Sequence, residues 1–595
     1  MDLHLRGIEA TAAERAVIEA VVPEAETAPL PGRVVRGGHD ARDQRHRLLP
    51  ALAAVQAEIG WVSPGALEEI CRRLAVPPAE AHGVATFYAL ISTTQRPPRV
   101  AHVCDDIGCA PQGAVEVIDD LEQRLGPAGS DAGGVTWVRS PCLGQCDRAP
   151  AVYLQLAGED DGVLVDTDAR AVITALRVGG AMPPPAPVPQ QGDPGLRLLR
   201  RVGSVDPTDL DDYRRHGGFT ALRSALDMGP SAVIREVKDA NLRGRGGAAF
   251  PTGVKWEAVA AAPSRRRFLI CNADESEPGT FKDRVLLDED PFALVESMTI
   301  AGYATGCEQG YVYLRGEYPL AAVRLTHAIE TCRRRGLLGD DVMGRGVRFD
   351  IELRRGQGAY ICGEETAMMN SIEGYRGEPR NKPPFPTQVG LFGEPTVINN
   401  VETLLNVLDI VVEGGATFAA TGTPESTGTR LFCLSGAIAR PGVYEVALGA
   451  PLRELLELAG GVVGDLAAVL VGGAAGTFVS PHELDLPLSF EAARDRGFAL
   501  GSGVVMPFST ATDMSRVVRR IAEFFRDETC GQCVPCRVGV VRQEESLARY
   551  LSNGHDQREL ALLTDIDRAM TDASICGLGQ TAASAVRSAI KLGLI

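Results

Sequence analysis

The period of the hydrophobic pattern changes several times along the chain. Between residues 47 and 91 apolar residues recur at helical spacing, as in Leu48, Leu52, Val55 and Ile59. Residues 99–176 predict the order β-α-β-β-β-α, and later segments alternate helical patterns with short apolar strands, which is typical of α/β domains. The last stretch is helical throughout, so we predict a multidomain α/β protein.

Pattern and composition together divide the chain into segments. They are a mobile N-terminal arm (1–42), a helical bundle (43–95), a small α/β domain (96–180), a linker (181–200), a large α/β domain (201–425), a β-grasp-like module (426–500) and a helical C-terminal domain (501–595). The linker is predicted because residues 182–194 are rich in proline and polar side chains.

Bulk composition excludes several function classes. The 595 residues carry a net charge of −17, which argues against nucleic acid as the main partner. The chain contains no apolar run of about 18 residues, so no membrane span is expected. The first residues lack the pattern of a secretory signal. We expect a cytoplasmic protein, in which most of the 14 cysteines are ligands or buried thiols rather than disulfides.

One set of cysteines has the spacing of a cubane site. Cys530, Cys533 and Cys536 follow C-x2-C-x2-C, and Cys576 supplies a fourth thiol from a distant segment. Four thiolates of this kind are the usual ligands of a [4Fe–4S] cluster. A structural zinc site and a disulfide knot are the alternatives, but zinc sites usually pair two C-x2-C arms.

A second set lies in loops after predicted strands of the small α/β domain. Cys104 and Cys109 are spaced C-x4-C, and Cys142 and Cys146 are spaced C-x3-C. The count matches a [2Fe–2S] cluster. Because the spacing is loose, zinc and free thiols stay open at this point.

Glycine-rich and polar loops recur in the large α/β domain. Residues 242–255, 272–279, 356–366 and 381–403 each combine glycine, amide or charged residues near a predicted strand or helix end. Such loops let backbone amides approach a phosphate or a flat ring. They predict a phosphorylated cofactor, although none is the G-x-G-x-x-G fingerprint.

These loops and the cysteine segments near the C-terminus also carry a family resemblance. The motifs are GRGGAAFPTGVKW, CNADESEPGTFKD, GAYICGEETA, NKPPFPTQVGLFGEPTVINNVET, DETCGQCVPCRVG and ASICGLGQ. Through them residues 200–595 resemble the FMN-containing, NADH-oxidising flavoprotein subunit of respiratory complex I. Residues 45–180 resemble its thioredoxin-like [2Fe–2S] companion. The resemblance implies a thioredoxin-like domain, an FMN domain, an SLBB-like β-grasp module and a [4Fe–4S] helical bundle.

The fusion of the two units in one chain resembles the β subunit of molybdenum- or tungsten-dependent, NAD+-linked formate dehydrogenase. This resemblance implies a diaphorase that reduces NAD+ with electrons from formate, oxidised on a partner α subunit that holds a pterin-bound metal. The alternatives are the diaphorase subunit of an NAD-reducing hydrogenase and a fused component of complex I. A non-enzymatic scaffold with degenerate flavin loops is the interpretation from another class.

The resemblance also assigns site residues. Those implied for FMN are Gly244, Arg245, Gly246, Gly247, Lys255, Asn272, Asp274, Tyr360, Gly363, Glu364, Asn399 and Asn400. Those implied for NAD(H) are Phe250, Glu277, Glu365, Lys382 and Phe385. No catalytic acid or base is expected, since hydride passes directly between nicotinamide and flavin with Glu365 nearby.

Two positions depart from the family pattern. Ala249 stands where glycine is common, and Glu257-Ala258-Val259 stands where relatives often carry another aromatic residue. The first change is expected to be mild, whereas the second puts adenine stacking at that position in doubt.

Overall fold

A computed structural model describes residues 5–23, 43–180, 182, 183, 185, 188–554 and 556–595. The helices are α1 Ala12–Val21, α2 Leu48–Ile59, α3 Pro64–Leu74, α4 Pro78–Ala85, α5 Ala114–Leu125, α6 Ala169–Val178, α7 Leu210–Arg215, α8 Thr220–Met228, α9 Pro230–Asp239, α10 Thr252–Ala260, α11 Lys282–Glu289, α12 Pro291–Thr305, α13 Pro319–Arg334, α14 Glu365–Ile372, α15 Val401–Glu413, α16 Gly415–Ala419, α17 Leu452–Leu458, α18 Phe490–Asp495, α19 Met514–Glu528, α20 Val534–Ser552, α21 Gln557–Ala573, α22 Gly577–Thr581 and α23 Ser584–Lys591. The strands are β1 Arg99–Cys104, β2 Val135–Ser140, β3 Val152–Leu156, β4 Gly162–Leu164, β5 Phe268–Ala273, β6 Gln309–Leu314, β7 Asp350–Arg355, β8 Thr396–Asn400, β9 Thr429–Leu434, β10 Gly442–Ala447, β11 Leu466–Val471, β12 Thr477–Val479 and β13 Val504–Ser509.

The N-terminal segment is more ordered than the sequence predicts. Helix α1 begins with a capping box, in which Thr11 and Glu14 each accept the other's backbone N–H. Ile18 of this helix packs into the same buried core as Leu48 and Leu52 of α2. The mobile arm predicted for residues 1–42 is therefore wrong for α1, while residues 1–4 and 24–42 lie outside the described residues.

The small α/β domain has the predicted element order. Its sheet runs β2-β1-β3-β4, with β1 parallel to β2 and antiparallel to β3. Helices α5 and α6 bury Ile118, Leu121 and Val172 in a core with Trp137 of β2. The loops after β1 and β2, which carry the cysteines, lie at the same sheet edge because these strands are parallel.

The linker predicted for residues 181–200 is fixed at its C-terminal end. The carboxylate of Glu445 accepts the backbone N–H groups of Arg197, Leu198 and Leu199. Leu198 and Leu199 are buried. The linker predicted for residues 181–200 is therefore wrong for residues 197–199, which are part of the packed structure.

The large α/β domain is built on a parallel sheet of order β7-β6-β5-β8. Strand β5 is buried along most of its length, as expected for a parallel strand covered by helices on both faces. Buried helices α12 and α15 pack on it. The carboxyl ends of β5, β7 and β8 lead into the polar loops noted in the sequence, so these loops meet at one edge.

The β-grasp-like module needs a strand beyond its predicted boundary. Its sheet runs β10-β9-β13-β11-β12, and β13 pairs with both β9 and β11. The boundary predicted at residue 500 is therefore wrong, since the module extends at least to Ser509. Helices α19, α20 and α21 then form the predicted C-terminal bundle.

Candidate functional site

A cleft of about 390 Å³ opens at the carboxyl edge of the parallel sheet. Its walls come from the large α/β domain, the β-grasp module and the C-terminal bundle. The sequence-predicted residues that line it are Gly246, Gly247, Asn272, Asp274, Glu277, Tyr360, Gly363, Glu364 and Asn400. The structure thus brings together residues from four separate motifs.

The glycine-rich loop lies against the loop of Asn400. A Cβ atom added at Gly246 would lie 3.0 Å from the Cβ of Asn400. Gly247 has a φ of +125°, a value that residues other than glycine rarely adopt. The loop therefore exposes its backbone to the cleft, which is the surface that a flat ring or a phosphate requires.

Asp274 lines the cleft with one unpaired carboxyl oxygen. Its Oδ2 atom is buried and has no hydrogen-bond partner within the described residues. Burial raises the pKa of this carboxyl well above its ordinary value. A buried polar group without a partner is costly, so the cleft is suited to a ligand with a complementary polar edge.

Four residues predicted for the flavin do not line the cleft, namely Gly244, Arg245, Lys255 and Asn399. The Arg245 guanidinium instead donates to the carbonyls of Thr427 and Thr429, in the β-grasp module. Asn399 accepts from the Trp256 indole over 2.9 Å. The Arg245 and Asn399 side chains thus bond to neighbouring segments, and contact of the four residues with a flavin stays a prediction.

The residues predicted for NAD(H) divide into two groups. The first group is Phe250, Phe385, Lys382 and Glu365. The two phenylalanines expose about half of their surface. Lys382 Nζ lies 2.8 Å from Glu365 Oε1 and 2.9 Å from Glu364 Oε1. Glu277 lies elsewhere, in the cleft wall. Its Oε1 accepts the backbone N–H of Ala475 over 2.9 Å.

The cysteines of the thioredoxin-like domain converge in a buried pocket. Cys104, Cys109, Cys142 and Cys146 are each at most 5% exposed, and the last two sulfurs are 3.3 Å apart. Hydrogen bonds from the Cys104 and Cys146 thiols hold the pKa of Cys142 well below its ordinary value. The pocket thus favours a thiolate at Cys142.

The second set of cysteines lies at helix N-termini of the C-terminal bundle. Cys533 precedes α20, Cys536 lies in its first turn, and Cys576 precedes α22. Cys536 is buried, whereas Cys530, Cys533 and Cys576 are half-buried. Within the described residues, no three His, Cys, Asp or Glu side chains have the geometry of a single metal ion.

The cleft and this cysteine set share a wall. Gly577 and Leu578, which directly follow Cys576, line the cleft. On the other side, the Tyr360 backbone N–H donates to Glu528, two residues before Cys530, over 3.0 Å. A ligand in the cleft therefore lies next to the [4Fe–4S] candidate site.

Comparisons with known proteins agree with this arrangement. Family models match the Nuo51 FMN-binding domain at residues 237–409 and the thioredoxin-like [2Fe-2S] ferredoxin at 37–176. They also match the NADH-ubiquinone oxidoreductase-F iron-sulfur binding region at 516–592 and the SLBB domain at 431–474.

Two relatives decide the family. An NADH-quinone oxidoreductase subunit of Rhizobium meliloti is 44% identical over 398 residues, which cover 66% of this chain and 94% of the relative. The NAD-reducing hydrogenase HoxS subunit alpha of Cupriavidus necator is 36% identical over 561 residues, 91% of this chain and 89% of the relative. The chain belongs to this family of diaphorase subunits.

The solved structure of an NAD+-reducing [NiFe]-hydrogenase in the H2-reduced state contains a chain with the same fold. The two chains align with a TM-score of 0.79 at 32% identity. The alignment covers 91% of the present chain and 90% of the hydrogenase chain. The predicted fold class is thereby confirmed, as are FMN, the [2Fe–2S] and [4Fe–4S] clusters and NAD(H) as the cofactors of the family.

The residues present fit these groups. The unpaired Asp274 oxygen and the exposed glycine backbone suit a flavin ring and its phosphate. Each cysteine set offers four thiols, which is the ligand count of either cluster. Zinc, left open by the spacing of the cysteines in the thioredoxin-like domain, is not needed to account for these thiols in the diaphorase.

Several lining residues of the diaphorase were not singled out from the sequence. Lys282 Nζ is almost fully buried and lies 2.7 Å from Asp283 Oδ1 and 3.0 Å from Glu402 Oε2. Gly472, Ala475 and Gly501 of the SLBB module form the far wall. Lys282 belongs to a motif quoted above, but no local signal marks the SLBB residues.

Every helix that the structure describes is too short or too polar to cross a membrane.

Proposed function

We propose that the chain exchanges hydride between NAD(H) and an FMN held in the cleft, and single electrons with a partner subunit through the [4Fe–4S] site. The observation that carries the proposal is the shared wall, since Leu578 lines the cleft two residues after the ligand candidate Cys576. When bound, FMN converts a two-electron hydride into two single electrons. The protein has to supply placement and electrostatics.

The side chains at the mouth suit the dinucleotide. The exposed rings of Phe250 and Phe385 offer flat apolar surfaces, and Lys382 offers a cation for the phosphates. Glu364 and Glu365 hold that ammonium in position. We assign no general acid or base, because direct hydride transfer requires only that the two rings be held in contact.

Spectroscopy and kinetics of the purified chain test this proposal. NADH should bleach the visible flavin absorption and then produce the electron paramagnetic resonance signals of reduced clusters. A chain without flavin absorption, or one whose flavin NADH does not reduce, would contradict the proposal.

For the partner, we propose the molybdenum- or tungsten-dependent formate-oxidising α subunit. Its support is the sequence of the two cysteine segments, VCDDI and DASICGLGQ. The second candidate is a [NiFe]-hydrogenase. It is favoured by the relative and the solved structure that both align over 91% of the chain.

The native complex distinguishes the two partners. Formate-dependent NAD+ reduction with molybdenum or tungsten in the complex supports the first, and H2-dependent reduction with nickel supports the second. The single chain should reduce NAD+ with neither donor, because we expect it to hold no site for the oxidation of formate or H2. Formate-dependent reduction by the chain alone would contradict this division of labour.

A further inference from the structure

Arg315 joins the flavin cleft to the [2Fe–2S] pocket. It directly follows β6, and its side chain is 3% exposed. Its Nη1 atom donates to the carbonyl oxygen of Glu275 over 2.8 Å, and its Nη2 atom donates to the carbonyl oxygen of Cys142. One guanidinium therefore contacts a loop of the cleft and a cluster ligand at once.

Cys142 receives hydrogen bonds at its carbonyl oxygen and at its sulfur. The carbonyl oxygen accepts from Arg315 Nη2, which belongs to the flavin domain. Its own loop adds a bond from the Gly144 N–H to Cys142 Sγ over 3.4 Å. Hydrogen bonds and charge at the sulfurs are what set the potential of an iron–sulfur cluster.

Arg315 forms a buried ion pair with Glu317. Glu317 Oε2 lies 3.2 Å from Arg315 Nε, and this acid is 7% exposed. By contrast, Arg284, which also reaches the ligand loop through the Gly144 carbonyl, is held by both oxygens of Asp147. The Arg315–Glu317 pair is thus the buried pair in direct contact with the backbone of Cys142.

We propose that Arg315 raises the reduction potential of the [2Fe–2S] cluster from within the flavin domain and that Glu317 lowers it. Reduction adds one negative charge to the cluster. A buried cation stabilises that charge and a buried anion destabilises it, since interactions between charges are strong where water is excluded. The inference uses the cofactors of the family and does not depend on which partner supplies electrons.

The test is a redox titration of the full, cofactor-loaded chain, followed by electron paramagnetic resonance of both clusters. Arg315→Gln should lower the [2Fe–2S] midpoint and Glu317→Gln should raise it. A tenfold change in the equilibrium between reduced and oxidised cluster is 59 mV for a one-electron couple, and we expect shifts of about this size. Arg315→Lys, which keeps the charge, should stay close to the native value.

Two controls separate tuning from damage. Arg355→Gln removes a guanidinium that bonds the Gly316 carbonyl over 2.7 Å without touching a cysteine, and it should leave the midpoint unchanged. The [4Fe–4S] midpoint should stay constant in every variant. If the Arg315→Gln variant does not retain the cluster, the midpoint of Glu317→Gln alone tests the proposal. This variant removes a charge with little change in the shape of the side chain. An unchanged midpoint in Glu317→Gln, or shifts of both variants in one direction, would overturn the proposal.

Discussion

The Tyr360 hydroxyl donates to Glu277 Oε2 over 2.5 Å in the wall of the cleft. The same tyrosine packs edge-on against Phe524 of α19, with ring centroids 4.9 Å apart. Tyr360 therefore connects a carboxyl of the cleft with the helix that leads to the [4Fe–4S] cysteines.

This pair predicts a pH dependence. Burial raises the pKa of Glu277 to about 7, and the Tyr360 hydrogen bond opposes that rise. Below this pH the carboxyl is neutral, and above it the carboxylate should repel the anionic dinucleotide. We expect the KM for NADH to increase as pH rises through about 7. In Tyr360→Phe the pKa of Glu277 should move higher, and the increase in KM should move with it.

Glu277→Gln is the matched control for this prediction. It cannot ionise, so its KM should show no such transition. An equal midpoint in the native chain and in Tyr360→Phe would argue against Glu277 as the titrating group.

The two clusters should differ in their effect on turnover. Residues next to Cys576 line the cleft, whereas Cys104 is the buried last residue of β1 in the thioredoxin-like domain. We expect Cys104→Ser to preserve NADH oxidation with a hydride-accepting dye better than Cys533→Ser preserves transfer to a one-electron protein acceptor. Stopped-flow rates for both acceptors measure this. Equal losses in the two variants would contradict it.

Ala249 should be a strained position. Its φ is +52°, in the left-handed region that glycine adopts without penalty. After allowing for the greater flexibility of glycine in the unfolded chain, we expect Ala249→Gly to stabilise the loop by about 0.5–1 kcal/mol. Hydrogen exchange of the loop amides measures this local stability.

Ala248→Gly is the neighbouring control. The φ of Ala248 is not in the left-handed region, so glycine there should lower the local stability by about 0.4–1 kcal/mol. If both substitutions destabilise the loop, the backbone strain at Ala249 has no energetic consequence.

Glu445 should hold the junction between the two halves of the chain. It accepts three backbone N–H groups of residues 197–199 and the hydroxyl of Thr429, the last over 2.6 Å. Glu445→Gln removes the charge and should cost about 1.5–3 kcal/mol. Hydrogen exchange of residues 197–199 should then be at least about tenfold faster.

Glu491→Gln serves as its control. Glu491 bonds the hydroxyls of Thr423 and Ser426 in the same part of the fold but does not contact residues 197–199. Exchange at these residues should stay unchanged in this variant. Unaltered exchange in Glu445→Gln would show that packing of Leu198 and Leu199 fixes the junction instead.

The hydrophobic pattern was sufficient to predict those elements whose structure depends on local periodicity. The last stretch was predicted to be helical, and it contains α19, Met514–Glu528, whose apolar residues recur at helical spacing. The individual cysteine motifs were also recognised, since the spacing within each motif is a local property. Strand β13 was missed because its place between β9 and β11 depends on pairing with distant segments.

The direction of individual side chains was the second feature that could not be predicted from the sequence. A motif places the backbone of Arg245 near the cleft, but the side chain points to the carbonyls of Thr427 and Thr429. Leu578 shows the reverse case, since no flavin motif includes it and tertiary packing brings it to the cleft. Both outcomes depend on contacts between domains, which a single sequence does not display.

The late position of β13 has a consequence for biosynthesis. Domains form as the chain leaves the ribosome, but the sheet that carries Gly472 and Gly501 is incomplete until residue 509 has emerged. Gly577 and Leu578 follow later still. A nascent chain that ends after Asn400 already contains every predicted flavin residue and yet lacks one side of the pocket. Flavin capture should therefore come after translation is nearly complete, so that a truncated product holds no flavin.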